Sequence, residues 1–135
     1  MSYKIEEIEG IGGSYAEKLK ASGIVTTDDL LTRCSTPAGR KKLHEETGIS
    51  PKHIMTWTNH ADLMRIHGVA GQFAELLEAA GVDTVKELSH RKAANLTAAL
   101  ESTNEKRRLC GRVPSESEVQ RMIDQAKEMP RVVEY

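Results

Sequence analysis

The chain has 135 residues, and its 19 basic and 20 acidic side chains give a formal net charge of -1. This balance indicates a soluble globular protein and excludes the strongly basic composition that favours nucleic acid over the whole surface. The length suits one domain with a sizeable core. No run approaches the roughly 18 apolar residues of a membrane span, and the first ten residues carry acid without an apolar segment, unlike a signal peptide. We therefore expect a cytoplasmic protein.

A first helix is predicted at about residues 3–8, where Ile5 and Ile8 share one side. The run Gly10-Ile11-Gly12-Gly13 follows and predicts a tight turn, because glycine adopts positive φ or allows close backbone approach at little cost. The second helix then continues to about Ser22. Its end is predicted by the next glycine along the chain, the usual left-handed residue after a helix.

The next three helices each have a recognisable start. Thr26 or Thr27 can cap a helix at about residues 27–33, whose first turn carries two aspartates that suit the helix dipole. A Thr or Ser before Pro is the start signal of the other two, because proline suits the first helical position. Thr36-Pro37 opens a helix that ends at Thr47-Gly48, and Ser50-Pro51 opens one that continues to about Ile66.

The last third of the chain also predicts helices. One helix is marked by its apolar stripe, Ala93, Leu96, Ala99 and Leu100, and a polar link at residues 104–112 follows it. Ser115 with Glu118 predicts a capping box that opens the last helix. Pro130 ends that helix, and the tail behind it either docks or frays. No stretch shows sustained period-two alternation, so the chain is predicted to be all-α.

The segment from Ile8 to Leu31 recurs 58 residues later, from Ile66 to Ser89, with ten of 24 positions identical. A repeat this dense predicts a duplicated supersecondary unit. The identical pairs are Ile8/Ile66, Gly10/Gly68, Gly13/Gly71, Ala16/Ala74, Glu17/Glu75, Leu19/Leu77, Ala21/Ala79, Gly23/Gly81, Thr26/Thr84 and Leu30/Leu88. We expect residues 1–135 to form a single domain with repeat one at about 3–62, repeat two at about 63–130 and a short C-terminal tail.

The shared residues resemble the helix-hairpin-helix motif: Gly-Ile-Gly, an Ala four residues after the second glycine, a Leu three residues further, and then Gly-hydrophobic-x-Thr-x-x-x-Leu. That motif is known chiefly from DNA repair proteins, where the hairpin amides and the N-terminus of the second helix hold a backbone phosphate. The resemblance implies two helix-hairpin-helix repeats with additional helices in one compact bundle. Over its full length the chain also resembles an uncharacterised bacterial family known only as a domain of unknown function, which implies the same tandem helical fold and no activity.

The resemblance implies that ten residues of this chain bind nucleic acid. They are Gly10, Ile11, Gly12, Gly13, Ser14 and Lys18 in the first repeat, and Gly68, Val69, Gly71 and Gln72 in the second. Exposed amides at a glycine turn that leads into a helix N-terminus also favour an anion by geometry and dipole. Ala70 replaces the second glycine of repeat two and can hold the backbone away from a phosphate.

Other features weaken the nucleic-acid interpretation. Ser14 and Gln72 stand where active hairpins tend to carry Lys or Arg, and three glutamates precede the first hairpin. The glycines can instead simply let two helices pack closely at a reversal. Basic residues cluster elsewhere, either to flank a duplex or, as we favour, to form solvated faces. These are Arg33, Arg40, Lys41 and Lys42, then Arg91, Lys92, Lys106, Arg107, Arg108 and Arg112.

Catalysis, metals and cofactors are not expected. His53, His60 and His67 are seven residues apart, which separates neighbours by about 10 Å along a helix, too far for one ion. Cys34 and Cys110 are solitary and are predicted to be free thiols. No nucleophile with a positioned base, nuclease carboxylate cluster or nucleotide-binding glycine loop is present, and the carboxylates are expected in caps and on exposed faces.

Two functions remain open from the sequence. The leading hypothesis is a non-enzymatic module that binds the nucleic-acid backbone, such as that of DNA, without sequence preference. The alternative is a protein-interaction or scaffold module, with another protein or a second copy of the chain as partner, supported by the near-neutral charge and the missing hairpin Lys. No membrane partner is expected.

Overall fold

The computed structural model describes residues 2–135, and the regular structure in that part of the chain is helical. A short 3-10 helix, Ile5–Glu7, precedes eight α-helices. These are α1 Gly13–Ala21, α2 Thr27–Cys34, α3 Pro37–Thr47, α4 Pro51–Leu63, α5 Gly71–Ala79, α6 Val85–Ser89, α7 Ala93–Arg107 and α8 Glu116–Glu128. The all-α prediction is confirmed. None of these helices is long and apolar enough to cross a membrane.

The predicted helix starts are confirmed by their caps. The side chains of Thr26, Thr36, Ser50 and Ser115 each accept a hydrogen bond from the amide three residues later. Such a cap satisfies one of the amides that a helix start leaves without an intrahelical partner. The helices α1 and α5 differ, because neither has a side-chain cap.

Three predicted helix ends were wrong. The first helix is only the 3-10 turn Ile5–Glu7, and α4 ends at Leu63, where the chain turns with an Ile66 amide to Leu63 carbonyl hydrogen bond of 3.0 Å. Helix α7 continues to Arg107, inside the predicted polar link. It stops where Arg108 takes a left-handed φ of 51° and donates its amide to the carbonyl of Asn104.

The helices pack as one compact bundle. Helix α4 packs against α2 and α3, α8 packs against α6 and α7, and α5 contacts both α4 and α7. The apolar stripes that predicted α4 and α8 face this core. Ile54, Trp57, Ala61 and Met64 are buried, as are Val119, Ile123 and Ala126, with Met122 half-buried.

The two copies of the sequence repeat, residues 8–31 and 66–89, have the same backbone turns. Gly10 and Gly68 have φ values of 94° and 92°, and the glycines that follow α1 and α5 are also left-handed. After α1 the amide of Ile24 donates to the carbonyl of Leu19 at 2.9 Å, and after α5 the amide of Val82 donates to the carbonyl of Leu77 at 2.8 Å. The duplicated sequence therefore folds into a duplicated local structure.

The C-terminal tail docks instead of fraying. Val133 is buried, and the Glu134 amide donates to the carbonyl of Ser35 at 2.7 Å. The hydroxyl of Tyr135 donates to Asn59 Oδ1 at 3.1 Å. These contacts tie the end of the chain, which follows α8, to helices α2 and α4 in the first half of the molecule.

Candidate functional site

The first hairpin, residues 10–14, turns over the indole of Trp57. A Cβ atom at Gly10 would lie 3.4 Å from Trp57 Nε1, and the positive φ of Gly10 makes glycine the favoured residue there. Ile11 is buried, and its amide donates to the carbonyl of Ile8 at 3.2 Å. Ile11 therefore anchors the turn in the core and leaves the following residues to face outward.

The N-terminus of α1 is open to solvent. Gly12, Gly13 and Ser14 are exposed, and a Cβ at either glycine would meet nothing within 4 Å. The helix ladder begins with the Ala16 amide, so in the described chain the amides of Gly13, Ser14 and Tyr15 have no protein acceptor. Three free amides at the positive end of a helix dipole form a local anion-binding geometry.

Aromatic side chains border this open helix end. Tyr15 meets the rings of Trp57 and His53 edge to face, with centroids 4.9 and 5.6 Å apart. His53 is exposed and stacks on Trp57 at 5.4 Å with the ring planes 9° apart. Sequence reasoning missed this cluster. The four-residue spacing of His53 and Trp57 signals a stacked pair on one helix face, but their contact with Tyr15 is tertiary.

Two of the three glutamates before the first hairpin have hydrogen-bond partners. Glu6 pairs with Lys20 at 2.6 Å, and this hydrogen bond is the main reason that the pKa of Glu6 is lowered. The Glu7 carboxylate accepts from the Lys4 amide at 3.2 Å. Lys18 is exposed and pairs with no acidic side chain among the described residues. One of the three negative charges before the first hairpin is therefore paired with a lysine.

The second hairpin, residues 68–72, is closed on one side by the start of the chain. Gly71 is buried, and a Cβ there would lie 2.0 Å from the carbonyl oxygen of Glu7. The Glu7 backbone therefore rests directly on the N-terminus of α5. Since a carbonyl oxygen carries partial negative charge, it disfavours an anion at the same place.

Further contacts close the other side of the second hairpin. The His67 amide donates to Gln125 Oε1 of α8 at 2.6 Å, and a Cβ at Gly68 would lie 3.5 Å from the Met122 methyl group. Val69 is fully buried. Gln72 is exposed, but its carbonyl accepts from Cys110 Sγ at 3.3 Å.

The structure therefore divides the predicted site residues into two separate groups. The first group, residues 10–14 with Lys18, lies at an open helix start. The second group, residues 68–72, packs against the 3-10 helix Ile5–Glu7 and against α8. Gly10 and Gly68 share a role as left-handed turns. Gly13 and Gly71 are equivalent in sequence but differ in environment.

Four arginines of the basic clusters have partners within the chain. Arg33 pairs with Glu46, Arg91 pairs with Glu87 at 3.0 Å, and Arg112 pairs with Glu118 at 2.9 Å. Arg40 donates to the backbone carbonyls of Cys34 and Glu134 at 2.9 and 2.7 Å. These contacts commit the guanidinium groups to internal partners and explain their clustering without a ligand.

Some buried groups were not expected. Asp62 is 2% exposed, and its carboxylate accepts hydrogen bonds from the Arg65 guanidinium at 2.7 Å and from the Val85 amide at 2.8 Å. The prediction that carboxylates occupy only caps and exposed faces was therefore wrong. His60 is buried with Nε2 3.2 Å from a Glu78 oxygen. Burial raises the pKa of the Cys34 thiol to about 11. No group of three His, Cys, Asp or Glu in residues 2–135 is arranged to hold a metal ion.

Comparison with known proteins gives a family and no activity. No curated protein and no solved structure matches the chain. A family model described as a domain of unknown function, DUF4332, matches residues 9–129, which include both hairpins and all of α1 to α8. The chain therefore belongs to the DUF4332 family.

Proposed function

We propose that this protein is a non-enzymatic tandem helix-hairpin-helix module that binds the nucleic-acid backbone without sequence preference, and that only its first hairpin holds a phosphate. The second hairpin supports the fold. The module acts by binding alone, in the cytoplasm, and needs neither metal nor cofactor.

The observation that carries the proposal is the open N-terminus of α1. Within residues 2–135 the amides of Gly13, Ser14 and Tyr15 lack acceptors, and Gly12 and Gly13 leave the approach free of side-chain atoms. A phosphate oxygen can accept from these amides while the helix dipole favours its charge. Backbone amides read no base, so the contact carries no sequence information.

An exposed basic side chain on the same helix supports the same ligand. Lys18 lies on α1 and is exposed. Its ammonium group can neutralise a neighbouring phosphate and release counterions, which makes the affinity depend on salt. With one to three phosphate contacts, we expect log affinity to fall with log salt with a slope between about -1 and -3 on duplex DNA.

The test is a titration of fluorescein-labelled 20-nucleotide single-stranded and duplex DNA at low salt, followed by anisotropy. The decisive variant is Gly12→Asp, because an aspartate at the N-cap fills the free amides with its own carboxylate. Ala70→Asp is the matched control, since it adds the same charge at the equivalent position of the second hairpin. We expect Gly12→Asp to weaken binding at least tenfold and Ala70→Asp to change it less than twofold.

Stability measurements separate binding from folding. Gly12→Asp is expected to leave the free energy of unfolding unchanged or raised by a few tenths of a kcal/mol, because glycine is itself a tolerated N-cap. No binding by the unmodified chain, binding that ignores salt, or equal loss in both variants would contradict the proposal and favour a protein-interaction module.

A further inference from the structure

A second surface of the first half of the molecule has a distinct chemistry. It is a groove of about 510 Å³ between α3 and α4, which we name the α3–α4 groove. Its α3 side is formed by Pro37, Arg40, Lys41 and His44, spaced three, four and seven residues from the first. This spacing places all four on one face of the helix.

The α4 side completes the groove with Pro51, Lys52 and Met55. The apolar part of the lining, called the floor below, is therefore made of two proline rings and a thioether, and the polar part is made of basic side chains. No Asp or Glu lines the groove among the residues that the structure describes. Neither Lys41 nor Lys52 forms an ion pair within that part of the chain, so their charges are free for a ligand.

Two walls of the groove are held in place before any ligand binds. Arg40 donates to the carbonyls of Cys34 and Glu134, and His44 Nδ1 donates to the carbonyl of Ile49 at 2.7 Å. The proline rings at the starts of α3 and α4 have fixed φ. A site whose walls are already ordered loses little conformational entropy when it is filled.

We propose that the α3–α4 groove binds a linear acidic segment of another protein, which places a large apolar side chain on Met55 and the prolines and its carboxylates beside Lys41 and Lys52. Charge complementarity requires an anionic partner, and the apolar floor requires an apolar anchor between the charges. Methionine adapts to the shape of such an anchor. A nucleic-acid backbone fits less well, since it has no apolar side chain to cover Met55 and the two prolines.

The experiment is a phage-display selection of random 12-residue peptides on the full chain, followed by anisotropy titration of the enriched peptides. We expect them to combine Asp or Glu with one or two large apolar residues. The double variant Lys41→Glu/Lys52→Glu should weaken their binding at least tenfold, and Met55→Ser at least threefold. The control Lys106→Glu/Lys127→Glu, which makes the same charge change at exposed positions of α7 and α8, should change it less than twofold.

The outcomes separate this proposal from the nucleic-acid proposal. Gly12→Asp should leave peptide binding unchanged, and Lys41→Glu/Lys52→Glu should retain the native circular dichroism because both lysines are exposed. No enrichment, peptides without acidic residues, or equal loss in the control would overturn the assignment. So would DNA that competes for the groove, or a self-association in sedimentation velocity that the groove variant abolishes, since the occupant is then a nucleic acid or a second copy.

Discussion

The two hairpins show how one local structure can have two different surroundings. Gly10 and Gly68 differ by 2° in φ, and α1 and α5 both begin without a side-chain cap. Yet a Cβ at Gly13 would meet nothing within 4 Å, whereas a Cβ at Gly71 would lie 2.0 Å from the Glu7 carbonyl oxygen. Duplication therefore preserved the turn, and the tertiary packing of the N-terminal segment made one helix end accessible and the other structural.

The largest expected effect comes from placing a methyl group on each of these two equivalent glycines. Gly71→Ala should lower the free energy of unfolding by about 3 kcal/mol, the upper end for overpacking, because the Glu7 backbone must move. Gly13→Ala should leave it unchanged or raise it by a few tenths of a kcal/mol, because alanine favours helix and the space is empty. Urea denaturation of both variants measures the difference. Equal destabilisation would show that the two surroundings do not differ.

Substitution of the left-handed glycines tests what the hairpins share. Gly10→Ala and Gly68→Ala should each lower the free energy of unfolding by about 1–2 kcal/mol, because a Cβ disfavours positive φ. Thermal unfolding followed by circular dichroism gives both values. A difference greater than about 1 kcal/mol between them would mean that the two turns are not equivalent.

The hydrogen bond that closes the second hairpin from α8 should have a smaller effect. Gln125→Ala removes the acceptor of the His67 amide and should lower the free energy of unfolding by about 0.5–1.5 kcal/mol. The control is Gln120→Ala on the same helix. Its side chain donates to the exposed Asp124, and its loss should change stability by less than about 0.5 kcal/mol. Hydrogen exchange of the His67 amide reports directly on the loss of this hydrogen bond. The exchange rate should increase in Gln125→Ala and not in Gln120→Ala.

The smallest effect is a pH dependence at the start of α8, the helix that closes the second hairpin through Gln125 and Met122. The hydrogen bond from Arg112, followed by that from the Ser115 amide, lowers the pKa of Glu118 to about 2. The pKa of Glu118 in the folded chain lies below its unfolded value of about 4.3. The charged Glu118 side chain therefore contributes its full stabilisation of the folded state above that pH, and this stabilisation is lost as the pH falls toward 2.

Glu118→Gln checks the sign of this pH dependence. The stability difference between the unmodified chain and the variant should be largest near pH 6 and should shrink steadily below pH 4.5, as followed by urea denaturation. A difference that stays constant down to pH 3 would mean that Glu118 is not held in its charged form by Arg112.

The sequence predicted the local structure well, because local signals decide it. Thr36, Ser50 and Ser115 were identified as helix starts from their own side chains and the residues just after them, and all three cap as expected. The end of α7 was missed, since Arg108 adopts a conformation for which its residue type gives no signal. The repeat and its glycine turns were visible as matched positions in two segments.

The surroundings of the candidate site could not be predicted in the same way. Gly13 and Gly71 are identical in the alignment, and their difference depends on Glu7, which is 64 residues from Gly71 in sequence. The acids before the first hairpin suggested repulsion of a phosphate, but Glu6 is neutralised by Lys20 across 14 residues. Tertiary contacts of this kind have no periodic or compositional signature.

Binding of phosphate by one hairpin of the pair can be followed residue by residue, in an NMR titration of the amide-labelled protein with a 10-nucleotide DNA. We expect the amide resonances of Gly13, Ser14 and Tyr15 to shift progressively with added DNA and those of Gly71, Gln72 and Phe73 to stay in place. Shifts confined to the second hairpin, shifts of equal size at both, or no shift at either would contradict it.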